Sequence, residues 1–160
     1  MSERITLGGF QRDLHWVSVF LRGAIGSLLL GAGITKLPGG VAGTVGFYTS
    51  LFEHSLLPQF LVQAHASVIV FVELLLGAWL MSGYRLAIAW RASALVLTSL
   101  AIGMLFAGKY DTASDNYVYV FFALVGLVTS RFDLWSWGAA AAGHPDGGPL
   151  SRRARAVELG

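Results

Sequence analysis

The chain has 160 residues, 55% hydrophobic and 12% charged, with a formal net charge of +2. Soluble domains carry about 25% charged residues, so this composition fits a polytopic membrane protein, and with no basic run or nucleic-acid motif it excludes nucleic-acid binding. The absence of cysteine excludes a dithiol–disulfide mechanism, thiolate-held iron–sulfur clusters and cysteine–zinc sites within the chain, so any redox chemistry would use a bound cofactor, a quinone or a partner subunit.

Met1 to His15 are polar and mixed, with no small-x-small cleavage site after a short apolar region, so the first apolar run reads as an uncleaved span. Four spans are predicted, over about Trp16–Thr35, Phe60–Met81, Leu86–Ala107 and Tyr117–Trp137, each near the roughly 20 residues that cross a bilayer. The segment Leu37 to Gln59 is too long for a plain turn. It opens with Pro38-Gly39-Gly40, then places Val41, Val45, Tyr48, Phe52 and Leu56 at helical spacing before Pro58. This predicts a short amphipathic helix lying on the outer face. The fold class is therefore all-α: an integral membrane four-helix antiparallel bundle with an amphipathic external loop helix between spans 1 and 2. Residues 1–138 form the bundle domain, and the Gly-, Pro- and Ala-rich stretch at 139–160, with its basic end, reads as a flexible cytoplasmic tail.

Charge placement predicts orientation. Arg4, Arg12, Arg85, Arg152, Arg153 and Arg155 fall on one side, with Arg91 and Arg131 near it. Lys36 and Lys109 fall on the other, with Glu53, Asp111 and Asp115. Both termini are expected in the cytoplasm, in a multi-pass protein of the cell inner membrane. Trp16, Trp90, Trp135 and Trp137 fall near the same span ends, as an aromatic belt would.

Arg22 and Glu73 are charged residues lying deep inside spans. A charged residue there costs at least ~2.5 kcal/mol, so it needs a partner or a task. Arg22, Gly26, Leu29, Gly33 and Lys36 share one helical face of the first span, and Ala66, Glu73, Gly77 and Leu80 share one of the second. With span centres near Gly26 and Phe71, Arg22 lies about 6 Å and Glu73 about 3 Å to the same side of the midplane. An Arg22–Glu73 ion pair is expected. It is either a neutralised pair that fixes helix register or a polar site for a quinone or a proton. On the outer side, Lys36, Asp115 and Asn116 are expected to cluster. Among His15, His54, His65 and His144 no metal-ligand spacing occurs. His54 and His65 with Glu53 are the weak alternative for a metal or haem, and no metal site is assigned. No serine–histidine–acid grouping emerges, and catalytic residues stay unassigned.

The chain resembles the DoxX/DoxD-like membrane proteins. The resemblance rests on Arg22-Gly-Ala-Ile-Gly26, Gly31-Ala-Gly-Ile-Thr-Lys-Leu37, Glu73-Leu-Leu-Leu-Gly77 leading to Gly83, Asp115-Asn-Tyr117 and Ser130-Arg-Phe-Asp-Leu134. It covers about Val19 to Leu134. It implies a four-helix membrane bundle whose polar positions fall on Arg22, Lys36, Glu73 and Asn116. Some members look like the quinone-facing subunit of thiosulfate:quinone oxidoreductase, others accompany redox or stress-defence enzymes, and more distant relatives look like assembly factors or chaperones. The expected role is an accessory or quinone-interacting subunit of a membrane redox assembly. Such a subunit would bind no cofactor covalently, would use quinone, and would contact membrane lipids and other membrane subunits. It would not be catalytic alone. The alternatives are a non-catalytic structural or assembly subunit, and a small transporter or proton pathway.

Overall fold

The computed structural model describes residues 2–137, with side chains from residue 9 onward. The tail expected at 139–160, and His144 within it, lie outside the described residues. Five α-helices follow one another: α1 (Ser2–Lys36), α2 (Gly40–Leu51), α3 (Gln59–Ser82), α4 (Leu86–Phe106) and α5 (Tyr110–Thr129), with single 3-10 turns at Leu37–Gly39 and Ser130–Phe132. No strand occurs among the described residues. One isolated backbone bridge joins Tyr84 to Trp137.

The breaks have local causes. Pro38 cannot continue α1, and Gly40 takes φ +58°, which lets the chain restart as α2. Gly83, at φ +75°, caps α3 in the left-handed conformation that glycine adopts readily. Gly108, at φ +70°, turns α4 into α5. Below, the end of the bundle holding Gly83 is the turn end, and the end holding residues 52–58 and Gly108 is the loop end.

Residues 9–51, 59–82 and 86–106 are long and apolar enough to cross a membrane. The more polar α5 carries Asp111 and Asp115 in its first two turns. Large apolar side chains point outward all round, among them Phe20, Leu75, Leu95 and Phe121. An outward apolar surface of this extent suits lipid rather than water. The chain is a multi-pass all-α membrane protein, with α1 packed on α3 and α4 on α5.

Glycine sets both contacts. A Cβ on Gly77 would lie 2.7 Å from the Gly26 carbonyl oxygen, and one on Gly33 would lie 2.6 Å from Leu74 Cγ. The bare α-carbons let the α1 and α3 backbones touch. Gly126 of α5 receives the flat of the buried Trp90 indole from α4.

Three features differ from the sequence reading. The first helix is already formed from Ser2, not from about Trp16. The last helix covers 110–129, not 117–137, because the polar residues after Gly108 are already helical and the chain leaves the helix at the Ser130–Phe132 turn. The loop helix is present as α2, but its seat is deeper than the outer face. Because α1 stops beside the middle of α3, α2 covers the remaining half. Its Tyr48 and the following Phe52 bury against Val62, Ala66, Ile69 and Val70 of α3.

Candidate functional site

The charged groups inside the bundle are partnered, though not as the spacing suggested. Lys36 Nζ donates to both carboxylate oxygens of Glu73 at 2.5 Å. The Glu73 side chain is 3% exposed and that of Lys36 is 24% exposed. The pair sits where α1 breaks, beside the middle of α3. The expected Arg22–Glu73 pair does not form. Gly26 faces Gly77 and Gly33 faces Leu74, a register that carries Arg22 down to Gly83 at the turn end. Ten residues of helix then separate it from Glu73, about 15 Å at 1.5 Å per residue. The depth estimate failed because it centred each apolar run on the bilayer separately, whereas α1 is a longer helix offset along α3.

Arg22 finds its charge partner in Asp133, whose side chain is fully buried, with Nη1 3.5 Å from Oδ2. The geometry is that of a charge contact, and Nη1 makes no aligned hydrogen bond. Ser18 Oγ donates to Asp133 Oδ2 at 3.1 Å, and the Trp135 N–H donates to Oδ1 at 2.9 Å. The Leu134 N–H donates to His15 Nδ1 at 3.1 Å. His15, Ser18 and Arg22 step by three and four residues and so share one face of α1. Together they seat the return segment 130–137 on the turn end. Its last residue is tied to the α3–α4 turn: the Arg85 N–H donates to the Trp137 carbonyl at 3.0 Å, and the Trp137 N–H to the Gly83 carbonyl at 3.1 Å. Asp133 was missed as a site residue because it falls near the end of the span read as Tyr117–Trp137, where a carboxylate looks interfacial, whereas the helix ends at Thr129 and the chain folds back. The signal was the His15–Ser18–Arg22 stripe, in which Ser18 and Arg22 need an acceptor and His15 needs a donor.

The outer-face cluster is not assembled. Lys36 is turned inward to Glu73, Asp115 is exposed and Asn116 is half-buried. Among the described residues neither Asp111 nor Asp115 forms an ion pair. His54, exposed in the 52–58 loop, belongs to no group of three metal-ligating side chains among the described residues.

A cavity of about 290 Å³ opens between α2, α3 and α4, towards the loop end. Phe52, Leu100, Met104 and Phe106 make it apolar, while Tyr48, His65 and Ser99 are its polar wall. Glu73 lies within coulombic range of the Tyr48 phenol, and Lys36 within range of His65. Glu73 stands about two helical turns along α3 from His65, so the ion pair lies near the polar wall without lining the cavity. Neither Tyr48 nor His65 stood out in the sequence, where one reads as a packing residue and the other as an interfacial histidine.

A multi-pass helical bundle with a lysine–glutamate pair buried at a helix break is the class of protein that these features define. The chain belongs to the family of methylamine utilisation protein MauE, whose model matches residues 14–115. The match runs from the residue before His15 to Asp115 and takes in both Lys36 and Glu73. It is a multi-pass membrane family, which is the coarser content of the DoxX/DoxD resemblance; the finer name is not part of the match. No curated protein and no solved structure matches the chain.

Proposed function

We propose that this chain is a membrane accessory component of a redox system, and that its cavity takes a lipid-soluble quinone. The family name, methylamine utilisation protein, supports the first half: the oxidation of an amine releases electrons that a membrane system must accept. The cavity supports the second. Its apolar walls, of about 290 Å³, suit a flat ring with a short stretch of isoprenoid tail. Tyr48 and His65 provide hydrogen-bonding groups at the polar wall for carbonyl oxygens, with the Lys36–Glu73 pair about two helical turns along α3 from His65. This replaces Arg22 with Glu73 as the candidate headgroup site, since those two residues stand at different depths.

The chain is read as a binding and docking subunit, with electron-transfer centres held by partner proteins. The alternative, a purely structural or assembly subunit, draws on one observation. Both Glu73 oxygens are already satisfied by Lys36, as they would be in a pair that only fixes register.

Photolabelling of the full chain with an azido-benzoquinone of short tail separates the two. Label is expected on peptides containing Tyr48–Phe52 and Ser99–Phe106. Gly103 lines the cavity, and a Cβ there meets Phe52 at an ordinary 3.6 Å, so Gly103→Leu should fold while filling the space and abolishing the label. Label that is absent, or unaffected by Gly103→Leu, would leave the structural reading in place.

A further inference from the structure

A second cavity, of about 320 Å³, lies at the turn end between the start of α4 and the return segment. Leu86 and Ile88 line it together with Ser130 and Ser136, and it is also lined by Arg85 from the start of α4 and Arg131 from the return segment. Neither arginine has a carboxylate partner among the described residues. Each guanidinium lies over the ring of its neighbour, Arg85 at 5.8 Å from the Tyr84 centroid and Arg131 at 4.9 Å from that of Phe132. The serine hydroxyls are committed, Ser130 to the Leu127 carbonyl and Ser136 to that of Asp133, so the arginines are the free donors.

Arg85 is also the only non-glycine residue at positive φ among the described residues, at φ 44° and ψ 49°. Glycine takes that conformation more readily than any residue with a Cβ. An arginine in that conformation points to a use for its side chain. The depth of the groove indicates what the use is. Trp16, Tyr84, Trp135 and Trp137 are exposed around this end, as an interfacial aromatic belt is. The groove therefore opens at headgroup level, with an apolar floor beside two cations.

We propose that this groove holds the headgroup of an anionic phospholipid, its phosphate gripped between Arg85 and Arg131 and its glycerol and first acyl carbons lying on Leu86 and Ile88. Two guanidinium groups match a phosphodiester oxygen pair. Basic pockets between membrane helices bind anionic headgroups by this chemistry. The site is separate from the quinone cavity at the other end and does not depend on that reading.

The test is native mass spectrometry of the full chain ejected from nanodiscs of equal phosphatidylglycerol and phosphatidylcholine. The chain should retain phosphatidylglycerol preferentially. Arg85→Gly, which eases the backbone and should preserve the fold, and Arg131→Gln should each lower that preference roughly fivefold, and both together about thirtyfold. Arg12→Gln, which removes an exposed cation outside the groove, should leave it unchanged. Equal retention of the two lipids overturns the proposal, as does a preference that survives the double change. Displacement of the lipid by millimolar inorganic phosphate or by an acidic peptide overturns it in favour of a soluble ligand.

Discussion

Glu73 is the residue on which the middle of the bundle depends. Its side chain is nearly inaccessible, and Lys36 is its cation. Glu73→Ala removes the partner of a lysine held at a helix break, and Lys36→Ala strands the more deeply buried member. Each should destabilise the bundle by about 3–5 kcal/mol, with the double change to leucine recovering much of that loss. Thermal unfolding of the four proteins in one detergent reads the cycle, and additive losses would show that the two side chains do not act as a pair. At the other end, Gly83 is held by two requirements at once. It sits at φ +75°, and a Cβ would come within 2.6 Å of Arg22 Nη1 and 3.0 Å of the Trp135 carbonyl. Gly83→Ala should therefore cost about 1–3 kcal/mol and loosen the return segment. Protease cleavage after Arg131 that is no faster than in the parent protein would count against this.

At the scale of helices, small residues decide which faces meet. Gly126 packs against the buried Trp90 ring so closely that a methyl group has no room. Gly126→Ala should destabilise by about 1–3 kcal/mol, and Trp90→Phe should be less harmful in that background than alone. A coupling energy below about 0.5 kcal/mol would mean that α4 and α5 shift to accommodate the methyl. The same residues explain what could be read from the sequence. Helix limits were legible where the chain announces them, at Pro38 and Gly83, while the start of α5 straight after Gly108 was not, because its first turns are polar. The α1 stripe was legible as well, since Arg22, Gly26, Gly33 and Lys36 do face the bundle. The register between α1 and α3 was not. Hydropathy marks how long a span is and says little about its height relative to its neighbour. That height is fixed by which glycine meets which backbone, Gly26 on Gly77 and Gly33 on Leu74, and a single sequence leaves those pairings open. The misassigned ion pair follows directly from that gap. Asp133 escaped for a different reason: with the last span read as running to Trp137, a carboxylate near its end looks like an interfacial one until the chain folds back at Ser130–Phe132.

For the whole molecule, the arrangement of helices predicts which connections share a side. The 52–58 loop and the Gly108 turn belong to one end, and the Gly83 turn with the return segment to the other. The lack of native cysteine makes this directly measurable. Single cysteines at His54 and Tyr84, labelled in intact cells with a membrane-impermeant maleimide, should react from opposite faces. With basic residues gathered at the turn end, Tyr84→Cys should be reached only after the membrane is opened. Labelling of both sites from outside would be incompatible with a crossing by α3.

Asp133 also gives the protein a clock. Its contact with Ser18 spans 115 residues, so the charge partner of Arg22 leaves the ribosome long after Arg22 itself has entered the membrane. At about 5–20 residues per second the wait is roughly 6–20 s. Through that interval the nascent chain carries Arg22 with no carboxylate and His15 with no donor to its Nδ1, the kind of exposed defect that membrane quality control can recognise. Closure of the return segment then supplies both partners. A chain stopped after Thr129 should be degraded faster than one stopped after Trp137, and Arg22→Leu should restore much of its level, as read by pulse–chase. Equal half-lives for the two truncated chains would mean that the cell does not read this closure.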